Sequence, residues 1–239
     1  MRIVIVGGVA GGMSCAARAR RLDETAEIVV LERGAHVSFA NCGLPYFVGG
    51  EIPDERSLLV QTPASLRAAL DLDVRTCSEV TALDTAAKTV SVHTEEGAYE
   101  LSYDALVLSP GASALRPPLP GLNSPRVRTL RTVEDAVALR DEVHAGARRA
   151  VVLGAGFIGI EAAEALARQG LEVSVVELAP HPLPPLEAEL AWLITQQLGE
   201  LGIEVRTGIA AASVEHAADA DTVVLADGTR LAADIVVLS

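Results

Sequence analysis

Apolar residues fall into short runs separated by glycine breaks and amphipathic stretches, and the same alternation occurs at two places in the chain. Arg2–Val6 is an apolar run that predicts a strand. The loop Gly7-Gly8-Val9-Ala10-Gly11-Gly12, an alanine- and arginine-rich helix to about Leu22, and a second run, Ile28–Leu31, closing on Glu32, follow it. Ala150–Leu153, the loop Gly154-Ala155-Gly156-Phe157-Ile158-Gly159, a helix to Gln169 and the run Val173–Glu177 repeat the plan. Apolar run, glycine break, helical period and second run together read as a strand–helix–strand unit with parallel strands.

Between the two copies, Leu58–Val60, Asp73–Thr76, Glu79–Leu83, Val90–His93 and Tyr99–Ser102 alternate or carry β-branched residues, and Pro63–Leu70 predicts a helix. They read as a third strand plus an antiparallel insertion. Ala105–Ser109 reads as a buried strand ending in Pro110-Gly111, and the proline-rich stretch Arg116–Gly121 is the best linker candidate. Thr132–His144 has helical periodicity. After Glu177, Pro182, Pro184 and Pro185 interrupt the chain, a helix is predicted over about Glu187–Leu201, and Asp234–Ser239 predicts a final strand with no turn or cap after it. The expected fold is α/β: two nested Rossmann-like nucleotide-binding domains of the three-layer ββα type, with antiparallel β insertions, divided at residues 1–115 and 116–239.

Composition narrows the picture. With 239 residues, 50% of them apolar, the chain can bury a core without disulfides or structural metal. Cys15, Cys42 and Cys77 have unrelated spacings and an odd count, which fits neither a zinc cluster nor a disulfide framework, so a reduced, cytoplasmic chain without metal is expected. The formal charge of −13 opposes the long-range attraction that nucleic acids and anionic membranes need. The longest uncharged apolar stretch, Ala150–Ile160, is far short of the ~18 to 20 residues of a membrane helix. Met1-Arg2 and the run after it mimic a secretory signal, but four glycines at Gly7, Gly8, Gly11 and Gly12 break such a helix and suit a phosphate loop instead.

The second loop carries the complete G-x-G-x-x-G pattern at Gly154, Gly156 and Gly159, between a strand and a helix, with Glu177 closing the next strand. Glycine there serves a tight turn, backbone approach to a pyrophosphate and close helix packing, while the helix N-terminus supplies partial positive charge. Glu177 would accept hydrogen bonds from the adenosine ribose and repel a 2′-phosphate, which favours NADH and leaves NADPH as the second choice. The first loop has Val9 where the middle glycine belongs. With Glu32 ending the next strand and a second unit downstream, it implies a different adenine dinucleotide, FAD, and the pair suggests hydride transfer between nicotinamide and flavin.

Cys42 lies in Ser38-Phe39-Ala40-Asn41-Cys42-Gly43-Leu44-Pro45-Tyr46, after a nucleotide-binding strand and before a short helix that Pro45 suits. The start of a helix favours a thiolate, so Cys42 is the candidate nucleophile, whereas Cys15 and Cys77 read as small buried hydrophobes. Ser14, Arg18 and Arg21 share one helix face. Spacing alone leaves two readings open: a phosphate clamp, or arginines offsetting the helix macrodipole.

Together these residues resemble the single-cysteine branch of the FAD- and pyridine-nucleotide-dependent disulfide oxidoreductases, and within it the coenzyme A disulfide reductases. The resemblance covers nearly the whole chain. It is carried by Ser-Phe-Ala-Asn-Cys-Gly-Leu-Pro-Tyr at 38–46, the Gly-x-Val-Ala-Gly-Gly loop, Tyr103-Asp104 leading to Ser109-Pro110-Gly111, and Gly-Phe-Ile-Gly-x-Glu at 156–161. It implies Cys42 as the redox nucleophile, cycling through a mixed disulfide with coenzyme A. It also implies coenzyme A contacts at Ser14, Arg18, Arg21, Ser38 and Asn41. FAD contacts are implied at Gly7, Val9, Ala10, Gly11, Gly12, Glu32, Arg33, Val80, Ser109 and Gly111. For the nicotinamide coenzyme they are Gly154, Gly156, Phe157, Ile158, Gly159, Glu161 and Glu177, with Phe157 and Glu161 beside flavin and nicotinamide.

The substrate implied is coenzyme A disulfide or a related persulfide or polysulfide. An NADH oxidase cycling through a cysteine sulfenic acid is one alternative, and a cysteine-independent ferredoxin-type reductase another. A nucleotide-binding module without turnover is a third. Peroxidase-type relatives carry histidine where this chain has Ala10. The lysine that coenzyme A disulfide reductases place near the end of the Pro63 helix is replaced by Leu70, with Arg67 one turn away. The family continues past a strand like Asp234–Ser239 into a second flavin-binding segment and a dimerisation domain. The chain is therefore expected to be the N-terminal part of a longer, homodimeric enzyme.

Overall fold

The computed structural model describes residues 1–239, which divide into two compact units: Met1–Ala40 with Leu59–Ala112, and Asn41–Leu58 with Ser113–Ser239. In chain order the first half contains β1 (Arg2–Val6), α1 (Ala10–Leu22), β2 (Glu27–Leu31), α2 (Gly43–Val48), a 3-10 turn at Glu55–Leu58 and α3 (Pro63–Leu70). β3 (Asp73–Arg75), β4 (Glu79–Asp84), β5 (Thr89–Thr94), β6 (Gly97–Ser102) and β7 (Ala105–Leu108) complete it. The second half contains β8 (Val127–Arg128), α4 (Val133–His144), β9 (Arg149–Leu153), α5 (Phe157–Arg168), β10 (Glu172–Val176) and α6 (Ala188–Glu200). It ends with β11 (Glu204–Arg206), β12 (Ala211–Glu215), β13 (Asp221–Leu225), β14 (Arg230–Ala233) and β15 (Ile235–Leu238).

The first unit is built on a parallel sheet in the order β3-β2-β1-β7, the second on a parallel sheet in the order β11-β10-β9-β15-β8. Each adds an antiparallel three-stranded sheet, β4-β5-β6 in the first and β12-β13-β14 in the second. This is the α/β architecture with antiparallel insertions that the two apolar–glycine–helix repeats predict. Central parallel strands are covered on both faces, which is why β2, β9 and β15 read as continuous Val/Ile/Leu runs. In the first unit one face of the sheet buries Ile3, Ile5, Ile28 and Val30 with Met13 and Ala16 of α1, and the other packs Val4, Val29 and Leu31 on Val90 and Val92 of the insertion.

Three expectations need correction. Leu58–Val60 forms no strand: the 3-10 turn ends at Leu58, and Leu59 makes only an isolated bridge with Phe39. β7 is not buried, because it is an edge strand paired on one side only, with Leu108 60% exposed. Cys77 is not a buried hydrophobe; it sits exposed with φ +49° in the turn between β3 and β4, where its backbone N–H donates to Gly34 O at 3.0 Å.

The proline-rich stretch is anchored within the second unit. Val214 N–H donates to Pro120 O at 2.8 Å, and a Cβ on Gly121 would lie 1.7 Å from Val214 O, so only glycine passes there. No helix is long and apolar enough to cross a membrane.

Candidate nucleotide and thiol sites

The two glycine loops are built alike, hydrogen bond for hydrogen bond. Gly7 (φ +102°) donates to Leu31 O at 2.8 Å, and Gly154 (φ +108°) donates to Val176 O at 2.9 Å. A Cβ on Gly7 would lie 2.0 Å from Ser109 O, and one on Gly154 would lie 2.4 Å from Ser239 O. A Cβ on Gly12 would meet Gly7 O at 1.8 Å, and one on Gly159 would meet Gly154 O at 2.2 Å. The first and last glycines of both loops are thus fixed by the chain's own packing.

The two acids are also equivalent. Glu32 accepts from Gly8 N–H at 2.6 Å and from Gly34 N–H at 2.8 Å, while Glu177 accepts from Ala155 N–H and Ala179 N–H, both at 2.7 Å. Each carboxylate ties its loop to the turn beyond its own strand. A carboxylate offers about four lone-pair positions, so both keep acceptor capacity for ribose hydroxyls.

Gly156 differs from its neighbours. Its φ of −72° is open to any residue, and a Cβ there would meet no atom of the chain within 4 Å. Neither backbone conformation nor internal packing requires glycine at this place, and the exposed position leaves room for a bound group. Both helices that follow the loops start without a side-chain cap, at Val9 for α1 and Gly156 for α5, as α6 also does, whereas Thr62 and Thr132 cap α3 and α4 with capping boxes. Uncapped first-turn N–H groups at the head of a long helix are what a phosphate takes up. The residues present therefore fit a dinucleotide at each loop.

Other expected contacts are placed as follows. Gly7, Glu32, Arg33 and Val80 come together around a cleft of about 100 Å³ in the first unit. Ala10 and Gly11 are exposed at the start of α1 and Val9 is half-buried. Ser109 donates its N–H to Val6 O at 2.7 Å, and Gly111 follows with φ +70°. Phe157, Ile158 and Glu161 are exposed on the first turns of α5. Ser14, Arg18 and Arg21 are all exposed on one face of α1, whereas Arg20 is committed to structure, donating to the carbonyls of Leu70, Glu24 and Asp71. Arg67 pairs with Asp73 at 3.3 Å. Ser38 adopts φ +48°, unusual for a non-glycine residue, and donates its N–H to Gly8 O at 2.9 Å. Ser38 belongs to the first unit; Asn41 and Cys42, both exposed, belong to the second.

Cys42 is the N-cap residue of α2, with its thiol exposed and free. Leu44, Pro45, Phe47 and Val48 bury the other faces of that helix. Three side chains of α4 and α5 or just beyond hold the segment that follows it. Gln169 Nε2 donates to Gly49 O at 2.6 Å, and Arg168 pairs with Glu51 at 3.3 Å. Arg140 donates to Ile52 O and Pro53 O at 3.2 Å, with its guanidinium 4.3 Å from the centre of the Phe47 ring.

Sequence reasoning missed these anchors, and it also missed a repeated Asp-x-x-x-Leu-Ser. Asp104 and Asp234, each just before its strand, accept from the backbone N–H of Arg2 at 2.6 Å and of Arg149 at 3.0 Å. Ser109 and Ser239, just after the strands, donate their N–H to Val6 O and Leu153 O. Hydrogen bonds from Arg149 hold the Asp234 carboxyl below its usual range against the opposing effect of partial burial. Comparing the two halves of the sequence would have found both pairs.

The pyridine nucleotide-disulphide oxidoreductase family matches residues 1–239. The coenzyme A disulfide reductase of Staphylococcus epidermidis is 42% identical over 208 residues, 86% of this chain and 47% of that protein. The NAD-dependent persulfide reductase of A. fulgidus superposes with a TM-score of 0.96 at 37% identity, over 99% of this chain and 45% of that one. Reduced CoADR-RHD of Bacillus anthracis does so with a TM-score of 0.95 at 38% identity, over 100% of this chain and 43% of that one. The chain thus spans a little under half the length of each of these proteins. With the whole of its length matched, the chain belongs to the pyridine nucleotide-disulphide oxidoreductase family.

Proposed function

We propose that the chain carries the coenzyme-binding and thiol-bearing part of a flavin-dependent reductase that moves electrons from NADH through Cys42 to coenzyme A disulfide or a related persulfide. The observation that carries this reading is the exposed Cys42 thiol at the head of α2, in the unit that also holds the Gly154–Glu177 dinucleotide loop. The names of the relatives, a coenzyme A disulfide reductase and a persulfide reductase, support the same substrate class.

The Gly7–Gly12 loop with Glu32, Arg33, Val80, Ser109 and Gly111 would hold FAD, which when bound supplies a two-electron carrier between nicotinamide and sulfur. Gly154, Gly156 and Gly159 with Glu177 would hold NADH, and the Glu177 carboxylate disfavours a coenzyme bearing a 2′-phosphate. Phe157, Ile158 and Glu161, exposed on the first turns of α5, would face the bound coenzyme.

At Cys42 the chemistry is thiol–disulfide exchange. The thiolate attacks one sulfur of the disulfide, forming a Cys42–coenzyme A mixed disulfide and releasing one coenzyme A thiolate. Two electrons from NADH then cleave that mixed disulfide, restoring the Cys42 thiolate and releasing the second coenzyme A. The sum is NADH, one proton and one disulfide giving NAD⁺ and two thiols. Ser14, Arg18 and Arg21 give a chain of net charge −13 a local cationic face for the phosphates of coenzyme A.

The test is NADH oxidation by the FAD-reconstituted protein with coenzyme A disulfide as acceptor, in wild type and Cys42→Ser. Thiol release that disappears in Cys42→Ser supports the reading. Undiminished thiol release in Cys42→Ser overturns it, and oxygen uptake indifferent to the disulfide selects an oxidase.

A further inference from the structure

The short helix that presents Cys42 cannot hold its own position. Six residues make fewer than two turns, and isolated helices of that length are unstable in water. What fixes α2 is the packing of its buried residues and the side chains that grip its far end, and one of those side chains bonds directly to its last carbonyl. Gln169, the residue that closes α5, donates from Nε2 to the carbonyl of Gly49, the residue that closes α2, at 2.6 Å.

The sequence around this contact is shaped to allow it. A Cβ on Gly49 would lie 3.3 Å from Pro45 O and 3.4 Å from Ala165 Cα, and one on Gly50 would lie 2.8 Å from Gln169 Nε2. Gly50 also has φ +83°. Two consecutive glycines therefore let the end of α2 lie against the end of α5, and the Gln169 amide fills the place a side chain on Gly50 would take. Arg140 gives a second hold farther on, through the Ile52 and Pro53 carbonyls and the Phe47 ring. The other end of α5 is Gly156, the open position of the dinucleotide loop, about 20 Å from Gln169 along the helix.

We infer that Gln169 is a positioning residue for Cys42: one rigid helix carries the dinucleotide loop at its head and, at its tail, the amide that sets how α2 presents the thiol. This deepens the reading of Cys42 as the redox thiol and rests on it for its significance, but the mechanical claim stands on geometry alone.

The test is the alkylation rate of each cysteine by iodoacetamide, resolved by peptide mass spectrometry, together with amide hydrogen exchange over residues 43–49. Cys77, exposed in the first unit, is the internal reference. Gln169→Glu keeps the shape and removes the donor; Gln169→Leu removes donor and acceptor together. Both are expected to lower the Cys42-to-Cys77 rate ratio, because a loosened α2 no longer holds the already exposed thiol at an ordered helix start, and to raise the exchange over 43–49 by about fivefold, the loss of one hydrogen bond of ordinary strength. Arg140→Met changes each in the same direction as the Gln169 variants. A ratio unchanged in Gln169→Glu overturns the inference, as does a parallel change at all three cysteines, which would mean general loosening. Failure of the redox reading shows instead in the Cys42→Ser turnover assay and leaves this ratio untouched.

Discussion

Glu177 accepts a hydrogen bond from the backbone N–H of Ala155 at 2.7 Å, so the acid that follows β10 is bonded to the loop that follows β9. Its second oxygen accepts from Ala179 N–H at the same distance. In Glu177→Gln one of these two N–H groups faces an amide N–H instead of an acceptor. Hydrogen bonds to a charged group are worth about 1.5–3 kcal/mol, so NADH affinity is expected to fall about tenfold or more, measured by calorimetric titration. NADPH affinity should fall less, because the charge that repels a 2′-phosphate goes too. Equal losses for the two coenzymes would count against the assignment of Glu177 to the ribose.

The glycines of the second loop separate folding from binding. Gly159→Ala places a methyl group 2.2 Å from Gly154 O and 2.4 Å from Ser239 Oγ, and is expected to lower stability by about 1–3 kcal/mol in thermal unfolding. Gly156→Ala meets no atom within 4 Å and should melt like wild type, yet bind NADH at least about tenfold more weakly because the methyl occupies the approach of the pyrophosphate. Wild-type NADH affinity in Gly156→Ala would show that the space serves something else.

Neutralising the exposed face of α1 should act on the anionic substrate alone. The double variant Arg18→Gln, Arg21→Gln is expected to raise KM for coenzyme A disulfide about tenfold with kcat little changed, and the difference should shrink as salt rises. A small uncharged disulfide, used as alternative acceptor, should show no such change.

Asp221 gives the second unit an acid limit. Its fully buried carboxylate is bonded to Ser124 Oγ at 2.5 Å, His216 Nδ1 at 2.8 Å and Arg126 Nη1 at 3.2 Å, joining the segment before β8 to the β12–β14 sheet. Burial by itself would raise the carboxyl pKa, but the hydrogen bonds from Ser124 and His216 and the nearby Arg126 charge outweigh it and hold the group below 3.8. With the folded pKa depressed, the stabilisation is fully present above the unfolded value near 3.8 and is lost as pH falls through the folded pKa. Asp221→Asn should therefore lower stability at neutral pH and flatten its fall in acid, followed by denaturant unfolding from pH 7 to pH 3. An unchanged acid slope would remove Asp221 from the account.

Much of this molecule is legible in its sequence because the parallel sheets are buried on both faces. Continuous runs such as Ile28–Leu31 and Ala150–Leu153 have no polar alternation to misread, and each is punctuated by a glycine loop or an acid. Edge positions are harder: Ala105–Leu108 is as apolar as a central strand yet has one neighbour only, and strand order is not a local property. Leu58–Val60 has the right residues for a strand but no partner to extend its single bridge. Cys77 misleads because exposure is decided by the left-handed turn at that residue. The loops and acids of the candidate site were readable from spacing. The grip of Gln169 on Gly49 was not, since it joins residues 120 positions apart through a side chain with no motif around it.

The most direct test of the central claim is the mass of the intact protein after reaction with coenzyme A disulfide, with the adduct mapped by peptide. The account predicts one coenzyme A per chain in mixed disulfide at Cys42, absent in Cys42→Ser, and released as free thiol when FAD and NADH are added. An adduct confined to Cys77, or a Cys42 adduct that NADH and FAD leave intact, would contradict it.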